Sequence, residues 1–451
     1  MVALDERQYY QGGIRADLEW MKRVGIGGFQ NFDASLNTPQ IVKKRLVYMT
    51  SGWKDAFLFT TKLADSLGLE MAIAGSPGWS ESGGPWVTPA QAMKKYVWSE
   101  TRIEGGKPFT GILPKPPTTT GTFQNIDNGE SKEEYYADAE VVAYRVPEND
   151  IPIAKLHPKV ISSGGKFNLT ALTDGDLVKT TFLPAAPPNG KSWIQFKFIK
   201  PETIQSVTMV ADDQDVNNNR ALEASDDGLQ FKTVLEITRG GASQTTITFP
   251  PTSAIFFRVT FTTPAPQSTG AGGGSGNRGL VAPEGTRIAE LVLHTVARVN
   301  RFEDKAGFSS FAGLYSLATP SVPATDVIDT NEVVNLTSKM QPDGTLNWTP
   351  PSGSWIIMRL GYSLTGKTNH PASPEATGLE VDKLSAEHVK AYFENYLDQY
   401  KDATGGLMGK KGFFALTYFI IRFVRRPLYS LVSWENSGNV NYKTNCKEPV
   451  L

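Results

Sequence analysis

Apolar positions near the start of the chain alternate between two periods. Ile14, Leu18 and Met21 recur at helical spacing, and Gly25 stands where that helix would stop. The run Gly27 to Asp33 then reads as a short strand ending in polar groups. Ser51 is expected as an N-cap, with a helix through Leu67, Gly68 as its stop, and a strand from Leu69 to Ala74. Strand and helix alternate, and polar residues collect after each strand, as they do at the catalytic ends of a (β/α)8 barrel.

From Thr101 the pattern changes. Ile112–Phe123 is a connector rich in Pro and Thr, and Glu140–Glu148 alternates as a strand does. NLTALTDGDLVKTTF, SWIQFKF, TIQSVTMVADD, ALEASDDGLQFKTVLEI, IFFRVTFT and IAELVLH follow at turn-separated intervals without a helical pattern, so they predict a β-sandwich. Ser268–Gly279, STGAGGGSGNRG, reads as a flexible surface loop within it. A meander is expected next, with turns at Asp343–Gly344 and Ser352–Gly353. Helical periodicity resumes at Ser385, an N-cap followed by Glu387, and runs through Tyr400. The expected segments are 1–110 (barrel), 111–159 (β-rich connector), 160–298 (inserted sandwich), 299–365 (meander), 366–412 (barrel continuation) and 413–451 (an aberrant tail). The fold class is therefore α/β plus all-β, a partial TIM-type barrel interrupted by a β-sandwich.

At 451 residues the chain can hold two or three domains with sizeable cores. A net charge of −1 provides no field for nucleic acid or an anionic membrane, so the expected partner is a neutral small molecule or glycan. The longest apolar run, Phe413–Val424, is short for a membrane span and contains Arg422. Cys446 is the single cysteine, which excludes an intramolecular disulfide and a thiolate metal cluster. The start MVALDERQYYQGG has no signal-peptide pattern.

The chemistry concentrates in the loop after the second strand, SPGWSESGGPWVTP. Its Gly and Pro residues shape a tight connection, while Trp79 and Trp86 either flank a sugar or plug the core. Asn31 and Asp33, at the end of the first strand, pair an amide with a carboxylate, a combination that holds vicinal hydroxyls. Acidic turns at Asp174 and Asp176, or at Asp226 and Asp227, have the ligand type for calcium but are commonplace in turns.

Three runs, ADLEWMKRVGIGGFQNFDA, PGWSESGGPWVTP and GYSLTGKTNHPASPEATGLEVDKL, resemble the α-L-rhamnosidases of glycoside hydrolase family 106. The resemblance implies a catalytic barrel with β-sandwich modules, inverting hydrolysis of terminal α-L-rhamnosides, a calcium ion near the sugar, a rhamnose-containing glycan as partner, and secretion or a periplasmic location. It places Asn369 and His370 at the substrate and Glu380 and Asp382 at the calcium. Asp382 has the alternatives of pairing with Lys383 or capping a helix, and His370 that of a structural hydrogen bond. Residues 160–298 resemble a discoidin-like carbohydrate-binding module, so a noncatalytic carbohydrate-binding protein is the alternative.

Inversion needs two carboxyl groups about 6.5–9.5 Å apart. The family's general acid lies in a Ser, aromatic, Glu motif after a segment like Gly406–Gly412; here FFALTYFIIRFVRRPLYSLV, unlike the family, intervenes in a run from Ala403 to Ser433 without an acidic residue before Ser433, Trp434 and Glu435 supply the motif. An altered reading frame or unspliced intron accounts for that stretch. Val432 replaces the family's acidic residue, and the other reading of Glu435 is an exposed acid in a tail. A further barrel strand is expected before the first helix and the general base beyond Leu451, so the chain as written is expected to be inactive. If the tryptophans line the sugar site, truncating Trp79 or Trp86 to Ala loses about 1–3 kcal/mol of transition-state binding while Tm barely moves.

Overall fold

The structure is a computed structural model that describes residues 6–35, 43–78, 80–127, 129–212, 219–238, 242–263, 284–309, 317–408, 413–415, 420–421 and 428–429. It groups into two compact units, Met1–Lys94 with Asn128–Tyr135 and Leu364–Leu451, and Lys95–Asp127 with Tyr136–Ser363.

In the first unit, α1 (Glu6–Arg23) leads through Gly25, at φ 88°, into β1 (Gly28–Asn31). Next come α2 (Ser51–Leu67) and β2 (Glu70–Ile73), which lies parallel to β1 with Gly28 opposite Glu70. A Cβ on Gly28 would stand 2.5 Å from the Glu70 carbonyl oxygen, so only glycine permits this approach. α2 ends as expected, with Gly68 in the left-handed region at φ 65° and Leu69 N–H returning to the Ala64 carbonyl. Its start differs by one residue. Thr50 is the N-cap, and its hydroxyl bonds the Val47 carbonyl rather than a helix N–H. The unit's core joins Leu18 of α1, Phe57 and Leu63 of α2, and Met71 and Ile73 of β2 to aromatic residues of a later helix.

The second unit is almost wholly β. β3 (Lys94–Glu104), β4 (Phe109–Ile112) and β5 (Ala137–Arg145) precede a seven-stranded sheet of β6 (Lys159–Ser162), β7 (Thr181–Pro184), β8 (Lys191–Asp212), β9 (Asn219–Ser225), β10 (Lys232–Ile237), β11 (Gln244–Thr262) and β12 (Gly285–His294). β8 and β11 form one long antiparallel pair whose register slips between Thr248 and Thr252 and again between Ala254 and Phe256. Pro201, Pro250 and Pro251 lie at those slips, where they remove ladder N–H groups and let the pair bend. The Phe256–Thr262 half of β11 carries β9 and the Ser206–Asp212 half of β8 carries β12, so one bent strand pair feeds both halves of the sheet. Ile194, Phe196 and Phe198 of β8 and Phe257, Val259 and Phe261 of β11 alternate into the core.

After the short helix α3 (Phe302–Lys305) come β13 (Val334–Asn335), β14 (Thr345–Trp348) and β15 (Ser354–Leu364). The three strands expected of the meander are present, but they do not pair in sequence. β13 and β15 flank β5, β15 also borders β3, and β14 pairs with β4. Strand existence is a local property. Partner choice follows the shared core of Leu113, Val141, Ala143, Leu346, Trp355 and Ile357, assembled from segments far apart in the chain.

The chain rejoins the first unit through α4 (Ala386–Ala403), whose Ser385 hydroxyl accepts the His388 N–H at 3.3 Å, the expected cap. β16 (Phe413–Ala415) then lies parallel to β2, giving the order β1-β2-β16. The first unit is thus α/β with parallel strands and the second is almost wholly β.

Candidate active site

Asp33 lies just past the end of β1, where three donors converge on its carboxylate. Asn31 Nδ2, Trp53 Nε1 and the Tyr400 hydroxyl each stand 3.1 Å from it. Trp53 comes from the first turn of α2 and Tyr400 from the last turn of α4, so both helices and β1 close on one side chain. Burial raises the Asp33 pKa, and the bonds from Tyr400, Trp53 and Asn31 only partly offset it. Trp53 stacks on Phe57 with centroids 4.9 Å apart and meets Tyr48 and Tyr400 edge-on, which fixes its N–H toward Asp33.

Tyr392, Tyr396 and Tyr400 recur every four residues along one face of α4 and are all buried. The Tyr396 hydroxyl donates to the Ala74 carbonyl at 2.9 Å and that of Tyr392 to the Gly75 carbonyl at 2.8 Å. These carbonyls end β2, where the ladder gives them no partner. The helix thereby fixes where the following loop departs.

That loop packs on the segment from Asn369 to Lys383. Asn369 is fully buried, donates to the carbonyls of Pro77 (2.9 Å) and Ala376 (3.0 Å), and accepts the Gly378 N–H at 2.8 Å. All these partners are backbone groups, so the side chain is a clamp between two loops and does not face an open site. His370 is exposed. Its backbone N–H donates to Ser80 Oγ at 2.8 Å, Ser80 Oγ donates to its carbonyl at 3.0 Å, and its Nδ1 lies 3.0 Å from the Thr368 carbonyl. Gly78 N–H reaches the Asp33 carbonyl at 2.8 Å, which joins the loop to the end of β1. A Cβ on Gly378 would lie 2.2 Å from the Gly84 carbonyl carbon, so the loops touch backbone to backbone.

Trp86 is half-buried against Tyr392 and Tyr396, with centroids 6.4 and 5.8 Å away. Its ring packs against the core cluster and stays half-buried. Trp79 and Glu435 lie outside the described residues.

Glu380 is buried, ion-paired with Lys383, and accepts a bond from Ser82 Oγ at 3.5 Å. Asp382 accepts the Leu384 N–H at 3.0 Å, a turn cap. As arranged, these two carboxylates do not fit a calcium site, because one is neutralised by a lysine and the other is engaged by backbone. No group of three or more His, Cys, Asp or Glu among the described residues is placed to hold a metal. Glu81, in the loop after β2, has its pKa raised by burial and by Glu380, against the pull of Lys383.

Tyr48, Trp53, Glu81 and the α4 tyrosines are site residues that sequence reasoning passed over. The spacing of Tyr392, Tyr396 and Tyr400 was visible as a helical stripe, whereas nothing local joins Trp53 to Asp33.

The profile of glycoside hydrolase family 106, described as α-L-rhamnosidase, matches residues 8–421, and the chain belongs to this family. A rhamnosidase structure from Novosphingobium sp. PP1Y is 41% identical, with a TM-score of 0.76, over 89% of this chain and 36% of its own. A Formosa agariphila protein named "Putative beta-glucuronidase" is 25% identical over 399 residues, 88% of this chain and 20% of that protein. The chain therefore spans about a third or less of the length of these relatives.

Two outcomes follow from the packing. Trp86→Ala should lower stability by about 2–4 kcal/mol, read by urea denaturation, because it strips the ring from the tyrosine face. An unchanged urea midpoint would contradict this. Folding raises the Asp33 pKa, so this group's stability contribution is full below about pH 3.9, the unfolded value, and is lost as pH rises through the folded pKa. Wild type should therefore lose stability relative to Asp33→Asn as pH rises from 4 to 7, and a widening wild-type advantage would contradict it.

Proposed function

We propose that the first unit is part of a (β/α) barrel that removes terminal α-L-rhamnose from glycans by inverting hydrolysis. The observation that carries this reading is the convergence of Asn31, Asp33 and the 75–84 loop at the C-terminal ends of two parallel strands, in a chain of this family. That end of a parallel sheet is where barrel enzymes collect their chemistry. Asp33, with three fixed donors, is an acceptor oriented before any ligand arrives, suited to paired sugar hydroxyls. His370 and Trp79 belong to the same two loops by sequence, and Glu435 is nominated as the general acid.

No step of this reading is routed through calcium, because Glu380 is engaged by Lys383 and Asp382 by the Leu384 N–H. Residues 160–298 are an inserted module of the discoidin-like type, and the full-length protein acts outside the cytoplasm. No helix among the described residues is long and apolar enough to cross a membrane. With one carboxyl of the catalytic pair nominated here, the 451 residues alone bind without cleaving.

The test uses 4-nitrophenyl α-L-rhamnoside and NMR of the first-formed sugar. A full-length protein that contains this chain should release rhamnose first as the β anomer, and Glu435→Gln should lower kcat/KM by about 100-fold or more. First release of the α anomer would overturn inversion, and an unchanged rate in the variant would remove Glu435 from the mechanism.

A further inference from the structure

Glu81 occupies a position that a glycine would fill with less strain. Its φ of 72° lies in the left-handed region, which costs a side chain with a Cβ on the order of 1–2 kcal/mol, in a loop that uses Gly78, Gly83 and Gly84 for its other positive-φ turns. Both neighbours are anchored. Ser80 Oγ makes two hydrogen bonds with the His370 backbone, and Ser82 Oγ bonds Glu380. Beyond them, Gly84 N–H is held by the Leu379 carbonyl at 3.3 Å. The loop is thus pinned on either side of residue 81 and cannot relax the strain by shifting.

The side chain so presented is a half-buried carboxyl that makes no hydrogen bond among the described residues. Lys383, the nearby cation, is already ion-paired with Glu380. A strained backbone that delivers a partly desolvated carboxyl is a cost to the fold. Loop closure alone explains neither, because glycine closes the same turn. Gly78, three residues before Glu81, bonds the Asp33 backbone, so the two carboxylates stand on directly joined segments.

We infer that Glu81 contacts the sugar, accepting hydrogen bonds from a pair of its hydroxyls, and that the loop holds it in a strained conformation for that purpose. The inference rests on the glycosidase reading and deepens it by adding a ligand-contacting carboxylate on the loop that is bonded to the Asp33 backbone. Glu81 acts in recognition, as a fixed acceptor that a neutral polyol satisfies and an anionic sugar repels. Carboxylate-bearing sugars are therefore excluded where neutral deoxy sugars are accepted.

The test measures binding and stability together on the 451-residue chain. Isothermal titration uses 4-nitrophenyl α-L-rhamnoside against the corresponding α-galactoside, α-glucoside and β-glucuronide, and urea denaturation follows each variant. Glu81→Gln and Glu81→Gly should each weaken rhamnoside binding at least about tenfold, the loss expected for a charged hydrogen bond. Glu81→Gly should at the same time raise the urea midpoint by relieving φ. A purely structural residue would not lose binding while gaining stability. Rhamnoside binding within twofold of wild type in both variants would overturn the inference, as would a lowered urea midpoint for Glu81→Gly. Wild-type binding of a different neutral glycoside would overturn the rhamnoside reading alone, and the variants are then compared on that glycoside. Binding of the glucuronide, or of none of the four, would overturn both.

Discussion

The tyrosine face of α4 is the constraint from which the rest of the site follows. Backbone carbonyls at the end of a parallel strand have no ladder partner, and leaving them buried without one costs about 1–3 kcal/mol each. Tyr392 and Tyr396 satisfy those of Gly75 and Ala74, and Tyr400 continues the same stripe to Asp33. One helix therefore sets the departure of the loop after β2 and the orientation of the carboxylate after β1. Because α4 follows the inserted β unit in sequence, the site is assembled only when distant parts of the chain meet.

Around that clamp the two loops hold each other through backbone. Asn369 ties Pro77 to Ala376 and Gly378, while Ser80 ties His370, and glycines permit the contact at Gly84 and Gly378. Such a framework leaves few side chains free, and those few carry the argument for ligand contact. Asp33 is oriented by three donors, whereas Glu81 is presented by a backbone in the left-handed region. The pairing of an oriented group with a strained one is what a preorganised polar site requires.

Much of the first unit was legible in the chain. Gly25 and Gly68 stop their helices, Ser385 starts one, and the strand ending near Asp33 lies where the apolar pattern puts it. These are local signals, a left-handed residue or a side chain capping its own helix. What failed to show is long-range. The meander strands exist but choose β4 and β5 as partners, and Asn369 turns inward onto backbone groups of both loops. Trp86 reads identically as a sugar platform or a core plug until the Tyr392 and Tyr396 rings are seen beneath it.

Hydrogen–deuterium exchange of the 451-residue chain, with and without saturating methyl α-L-rhamnoside, tests most directly whether the parallel-strand ends form the sugar site. The account predicts protection concentrated in residues 75–86 and 369–384 and in the chain around Asp33, with the β-sandwich strands unchanged there by comparison. Protection confined to residues 159–294, or none in the 75–86 loop, would contradict it.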